Sequence, residues 1–220
     1  MNKIISAKEA VAKIKEGDRV MFGGFLACGA AESLIDALVE QGTSNLHGII
    51  ICTDFPDRGI GKLISRKRIK SLQTSHIGTN PDTQAQFNAK ELDIEFNPQG
   101  TLMERVRSAG AGIGGFLTRT GVGTMIEEKR QTLELNGTKY ILETPIAADF
   151  ALIHAAKADK FGNLVFSKTA RNSNPIMATA AKTVIVEVDE IVENGELEPE
   201  SIVTSGVFVK YIVKREVCNG

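Results

Sequence analysis

The chain has 220 residues, 42% hydrophobic and 24% charged, with 26 basic against 27 acidic side chains for a formal charge of −1. That mix is the composition of an ordinary folded protein, and its balanced charge excludes the overall electrostatic footprint of a nucleic-acid or anionic-membrane binder. Aromatic residues are only 5% with no tryptophan, so base-stacking platforms and sugar-stacking clefts are poorly supplied.

Cys28, Cys52 and Cys218 form no CxxC pair and leave an odd thiol, which argues against a disulfide framework or a zinc knuckle and for a reducing compartment. The first residues alternate apolar and charged side chains, unlike a signal peptide, and no run reaches the roughly 18 apolar residues of a membrane span. A cytoplasmic location without membrane association is the expectation.

Taken in chain order, Ser6 and Glu9 have capping-box spacing ahead of Ala10, Val11 and Ile14, with Gly17 where a helix should stop. Residues 19–22 read as a strand, 23–29 as a glycine turn, and 32–40 as a helix with Leu34, Ile35 and Leu38 on one face. Strands at 47–52, 69–74 and 92–96 alternate with helices at 60–67, within 82–90 and at 102–108. This rhythm predicts an α/β fold, an open and mostly parallel sheet with helices on both faces and the carboxyl ends of its strands on one rim.

The stretch AGAGIGGFLTRTGVGT at 109–124 is too rich in glycine to offset the entropy of a regular element and predicts a long loop. Strands at 132–135 and 139–142 flank Asn136-Gly137, a strong hairpin signal, so a small β-ribbon insertion is expected. A strand at 150–154, a hairpin at Phe161-Gly162-Asn163, a helix at 175–181 and a strand at 183–187 complete the pattern. With no internal repeat, low-complexity tract or linker, residues 1–220 are read as one domain.

Chemistry is sought first in Gly23, Gly24, Phe25, Leu26, Ala27, Cys28 and Gly29, which join a strand directly to a helix. Backbone N–H groups and a helix N-terminus there suit an anion or oxyanion, while a tight turn needing positive φ and close packing explains the same glycines. The spacing is neither a GxGxxG dinucleotide fingerprint nor a GxxxxGK[ST] phosphate loop.

The segment GDRVMFGGFLACGAAESLIDAL resembles the alpha-subunit signature of family I coenzyme A-transferases, the 3-oxoacid group. RGIGKLI, SHIGTNPDT, PQGTLMERVR, GIGGFLTRTGVGT, ADFALIHA, ARNSNPIMA and AAKTVIVE follow in the order of that subunit, so the similarity covers nearly the whole chain. It implies CoA transfer between a short-chain acyl-CoA and a short-chain acid of the acetoacetate, acetate or butyrate type. The implied mechanism is ping-pong exchange through a glutamyl-CoA thioester whose glutamate lies on a partner beta subunit in an α2β2 assembly. CoA is then a substrate and transient thioester, with no permanently bound cofactor and no metal.

By the same resemblance the segment 23–29 supplies CoA contacts and part of an oxyanion hole, and Gln99 a polar contact near the acyl group. A helix-capping amide is the other reading of Gln99. Ala31 stands where the family usually has proline, and Ile51-Cys52-Thr53-Asp54 departs from a family asparagine, which puts a polar contact there in doubt. Glu193-Asn194-Gly195 looks like the beta subunit's catalytic segment but reads as a solvated turn.

His47, His76 and His154 have no ligand spacing and are expected in structural roles. Glu127 and Glu128 read as a charged helix face, Lys62, Arg66, Lys67, Arg68 and Lys70 as a solvated helix end, and Cys28 as a small packing residue. Two other functions would fit the fold: a sugar-phosphate isomerase acting alone, and a regulator that binds acyl-CoA without turnover.

Overall fold

The computed structural model describes residues 2–215. Its first half alternates helix and strand: α1 (Ala7–Val11), β1 (Arg19–Phe22), α2 (Glu32–Gln41), β2 (Leu46–Ile49), α3 (Gly61–Ser65), β3 (Ile69–Thr74), α4 (Pro81–Asn88), β4 (Asp93–Phe96) and α5 (Gln99–Gly110). Short strands β5 (Phe116–Thr118), β6 (Thr132–Leu135) and β7 (Thr138–Glu143) interrupt the rhythm. The chain then continues through β8 (Ala148–Asp159), β9 (Leu164–Val165), α6 (Asn174–Thr179), β10 (Ala181–Val192) and β11 (Val209–Lys214).

Local chemistry sets the helix ends. Ser6 and Glu9 form the expected capping box on α1, Gly42 ends α2 at φ 82°, and Asn80 accepts the Asp82 and Thr83 N–H groups in front of Pro81 in α4. Asn136 and Gly137, both at positive φ, make the tight turn between β6 and β7.

The main sheet runs β11-β10-β8-β1-β2-β3-β4 with every neighbouring pair parallel, and β9 adds antiparallel to β8. Strand alternation divides the core in two. Val20, Phe22 and Leu152 join α1, α2 and α3 on one face, while Met21, Ala151 and Ile153 join α5 and α6 on the other. Helices therefore cover both faces, as a parallel sheet requires. Leu34, Ile35 and Leu38 of α2 are all at most 1% exposed, and each contributes about 1.5–3 kcal/mol of apolar burial.

Several boundaries differ from the sequence expectation. The glycine-rich stretch is not one loop: α5 runs through Gly110, and Phe116–Thr118 pairs with β7 as the edge of a three-stranded ribbon, β5-β7-β6. Strands β8 and β10 are each twelve residues long because they pair with one another beyond the helices, into polar sequence where Lys157 meets Glu190 at 2.7 Å. β11, which the sequence pattern did not suggest, closes the edge beside β10. α1 stops at Val11, and Ile14 is buried from the turn that follows.

An ion-pair network binds the ribbon to the main sheet. Arg105 of α5 is 5% exposed and donates to Glu95 of β4 at 2.6 Å and to the Thr144 carbonyl at 2.7 Å. Its Nε lies 3.4 Å from the fully buried Glu143 of β7, and Arg130 Nε lies 3.2 Å from the same carboxylate. Burial alone would raise the Glu95 pKa, but hydrogen bonds from Arg105, Gln73 and Arg130 outweigh it and hold that pKa at about 2.

Candidate functional site

Because β1 is flanked by β2 on one side and β8 on the other, the chain changes direction across the sheet between β1 and β8. Ligands of open α/β sheets bind at such a switch point, outside the carboxyl ends of the strands. The turn at 23–29 leaves β1 at this place.

Within the turn, Phe25 and Cys28 exchange two backbone hydrogen bonds, at 3.1 and 3.0 Å, and form a miniature hairpin. Its tip residues, Leu26 at φ 51° and Ala27 at φ 63°, are both left-handed, a conformation that costs of order 1–3 kcal/mol for a residue with a side chain. Their amides are held from the loop after β2: Leu26 N–H points to Cys52 Sγ at 3.1 Å, and Ala27 N–H donates to Asp54 Oδ1 at 2.9 Å.

The turn's other flank rests on residues 169–174. Asn172 Nδ2 donates to the Cys28 carbonyl at 2.9 Å, Asn174 Nδ2 to the Gly29 carbonyl at 3.0 Å, and Gly24 N–H to Ser173 Oγ at 3.3 Å. This packing explains two glycines. A Cβ on Gly23 would sit 1.8 Å from Asn174 Oδ1, and one on Gly29 would sit 2.5 Å from the Ala170 carbonyl oxygen. Gly24 adopts φ 119°, which side chains rarely tolerate.

The tight-turn and anion-cradle readings thus meet in one object, with most donors already used. From residue 23 to residue 30, Gly29 N–H is the amide without an acceptor among the described residues, and Gly24 N–H has a long one. The N-terminus of α2 is also occupied: Ala31 offers no cap, and Glu187 of β10, fully buried, accepts the Leu34 N–H at 3.1 Å. Burial pushes the Glu187 carboxyl above its ordinary pKa. The start of α2, with alanine as its capping residue, is thus held by a carboxylate from two strands away.

A related turn follows β2, where Phe55 and Arg58 pair across Pro56-Asp57, whose tip is not left-handed, and Gly59 follows at φ 56°. Phe25-x-x-x-Gly29 and Phe55-x-x-x-Gly59 are therefore a local repeat, too short for the sequence reading to notice. Glu32 Oε1 accepts the Gly59 N–H at 2.8 Å and joins the two. The polar contacts that Cys52 and Asp54 make after β2 go to the Leu26 and Ala27 amides, within the fold.

Gln99 lies on the same rim, at the start of α5 after the edge strand β4, three strand spacings or about 14 Å along the sheet from the turn. Its side chain is exposed and caps nothing, since Pro98 is the capping residue and makes no side-chain bond. The chain by itself does not bring Gln99 against the turn.

Other expectations are corrected or placed. Cys28 is exposed, with its sulfur 3.4 Å from Thr169 Oγ1, so it is not a packing residue. Lys62 is not solvated: it bonds Glu32 at 2.8 Å and Asp36 at 2.6 Å. Glu127 pairs with Lys139 and accepts the Gly123 N–H, and Glu193-Asn194-Gly195 is an exposed turn in which Asn194 accepts the Phe161 N–H.

His154, behind the turn, pairs with Asp189 at 3.1 Å, and His47 meets Ser71 at 2.7 Å in an open groove of about 710 Å³ on the sheet face away from the rim. Among the described residues, no three His, Cys, Asp or Glu side chains converge as a metal site, and no helix is long and apolar enough to cross a membrane.

A parallel sheet with a glycine turn at its switch point, braced on both flanks and exposing Phe25 and Leu26, defines an α/β protein of the open-sheet class, in which ligands bind at the strands' carboxyl rim. Residues 4–215 match the family description Coenzyme A transferase. The chain is 47% identical over 213 residues to the acetoacetyl-CoA:acetate/butyrate CoA transferase alpha subunit of Clostridium acetobutylicum, spanning 97% of this chain and 98% of that protein. It is 46% identical over 211 residues to the acetate CoA-transferase subunit alpha of Escherichia coli, spanning 96% of each.

Among solved structures, an acyl-CoA transferase from Escherichia coli, in a thioester complex with CoA, superposes with a TM-score of 0.90 at 24% identity over 97% of this chain. This chain spans 47% of that one. Glutaconate coenzyme A-transferase from Acidaminococcus fermentans has a TM-score of 0.84 at 22% identity, over 96% of this chain and 75% of that one. The chain belongs to the coenzyme A transferase family.

Proposed function

We propose that this chain is the alpha subunit of a heteromeric CoA-transferase that moves CoA between a short-chain acyl-CoA and a short-chain carboxylate such as acetoacetate, acetate or butyrate. End-to-end similarity to a relative named as such an alpha subunit carries the reading. The turn at 23–29 forms one wall of the site: Gly24 and Gly29 have the amides least committed within the fold, and Phe25 and Leu26 offer apolar surface to the pantetheine arm. Gln99, with an uncommitted amide on the same rim, is assigned a polar contact to the acyl end.

The exchange is ping-pong. A glutamate of the partner beta subunit attacks the acyl-CoA carbonyl and displaces CoA thiolate to form a mixed anhydride; the thiolate then attacks the glutamyl carbonyl, expelling the carboxylate product and leaving a glutamyl-CoA thioester, and the acceptor acid collects CoA by the reverse steps. This chain supplies donors where negative charge develops on the carbonyl oxygen and excludes water around it. One thioester is exchanged for another at nearly equal free energy, so neither a metal nor a resident cofactor is required, and CoA is the substrate. We assign the subunit to the cytoplasm, in an α2β2 assembly, and read residues 1–220 as one domain because Arg105 ties the ribbon to the sheet.

Co-expression with the neighbouring reading frame, followed by a CoA-transfer assay and borohydride trapping, tests this. Transfer and a reducible enzyme thioester on the partner chain are expected only with both chains present and unchanged by EDTA. Transfer by this chain alone would sink the split-subunit reading.

A further inference from the structure

The carboxylate of Asp54 is fully buried, yet it lies one hydrogen bond beneath the rim. Oδ1 accepts Ala27 N–H at 2.9 Å from the turn after β1, and Oδ2 accepts Ile60 N–H at 3.2 Å from the residue that leads into α3. Asp54 is itself left-handed, at φ 51°, and is pinned there from the loop after β3: Thr79 Oγ1 donates to the Asp54 carbonyl at 2.9 Å and Asn80 Nδ2 to the Thr53 carbonyl at 2.9 Å. Three successive strand-to-helix loops are thus locked in series, with Asp54 bonded to all three beside the links of Leu26 to Cys52, Gly59 to Glu32 and Asn80 to Thr53.

We infer that Asp54 is a positioning residue of the transferase site: by accepting Ala27 N–H and Ile60 N–H together it holds the left-handed Leu26-Ala27 tip, and with it the 23–29 backbone, in the shape that receives acyl-CoA. This rests on the reading that the turn is a wall of that site. Each oxygen accepts a backbone N–H, and the ionised carboxylate is the stronger acceptor for both. Protonating one oxygen replaces a charge-assisted hydrogen bond by a weaker one to a neutral acid, which loosens Ala27 or Ile60 and the brace on the strained tip.

Of the ionisable groups facing Asp54, Cys52 favours its charge through a thiol hydrogen bond, which burial outweighs, and the others do not. Cys52, in the same loop, lies 3.5 Å away with a thiol that burial pushes up to about 11, Glu32 at the start of α2 is a like charge, and Lys62 of α3 is already committed to Glu32 and Asp36. His76, after β3, is exposed and reaches the loop through its main chain, whose carbonyl accepts Thr53 N–H at 3.2 Å, while Asp57 and Arg58 sit at the solvent-exposed tip. Burial raises the Asp54 pKa to about 6.

Two measurements test the assignment. In the full chain labelled with 15N-leucine and 15N-alanine, the Leu26 and Ala27 amide shifts should move together between pH 7.5 and 5 with a midpoint near 6, and the step should vanish in Asp54→Asn. This needs no activity, so its failure counts against Asp54 and not against the transferase reading. With the partner chain, kcat/KM of the wild type should fall on the acid side with the same midpoint. Asp54→Asn, which mimics the protonated acid, should lose at least tenfold in kcat/KM at pH 7.5 and lose that acid limb, while far-UV circular dichroism shows it folded. Static Leu26 and Ala27 amides in the wild type, or a folded Asp54→Asn with wild-type kcat/KM, would overturn the inference.

Discussion

The glycines of the turn are required for different reasons, and substitutions should separate them. Gly23→Ala puts a methyl group onto Asn174, whose amide also holds the Gly29 and Ala170 carbonyls, so the loss should fall on the fold, at about 1–3 kcal/mol by denaturant titration. At Gly24 an added Cβ meets nothing nearer than the Ala30 amide at 3.2 Å, and the difficulty is φ 119°. Gly24→Val should therefore keep secondary structure but lower CoA transfer by more than tenfold, with circular dichroism and the transfer assay compared on one preparation. Equal loss in both would mark the turn as packing alone.

Glu187 makes a second prediction at this scale, with a definite sign. Its pKa is raised in the fold, so the protonated acid is the better-tolerated form, and its favourable contribution is present below the unfolded pKa and lost as pH rises through the folded value. Glu187→Gln keeps an acceptor for Leu34 N–H without the buried charge. It should melt no lower than wild type at pH 8, whereas Glu187→Ala should melt several degrees lower in the same scan.

Among the elements, the ribbon depends most on electrostatics. Removing Arg105 strands Glu143, which is fully buried between two guanidinium groups, and breaking one partner of such a set costs about 3–5 kcal/mol. Arg105→Ala should lower the urea midpoint accordingly and speed hydrogen exchange across β5, β6 and β7 before the main sheet. Glu95 acts in the opposite pH direction from Glu187. Its depressed pKa contributes stability that is present above the ordinary glutamate value and lost as pH falls toward about 2, so the ribbon should loosen first in acid.

Over the whole molecule, the parallel sheet places the turns after β1 and β2, the capped start of α4 and Gln99 on one rim, and among the described residues no acid joins the glycine turn there in a substrate-facing position. Asp54 is buried as a brace and Glu187 as a helix cap. The architecture fits a subunit that offers donors and apolar surface to a reaction whose nucleophile comes from elsewhere, which is why the partner-dependent assay is the decisive one.

Much was legible in the sequence, because short-range chemistry decides it. Apolar periodicity located most helices and strands, Ser6 and Glu9 the first cap, and Asn136-Gly137 the hairpin, each a local preference that the fold leaves unopposed. The ordered run of family motifs pointed to the activity. Tertiary structure alone decided what is non-local: the order of strands about the switch point, β11 on the edge, the bond from Glu187 to α2, and the bracing of Leu26 and Ala27 by Cys52 and Asp54 from one side and of the Gly29 backbone by Asn174 from the other. Those contacts join residues 26 to 153 positions apart, and a buried carboxylate has no pattern in sequence that says which amide it will meet.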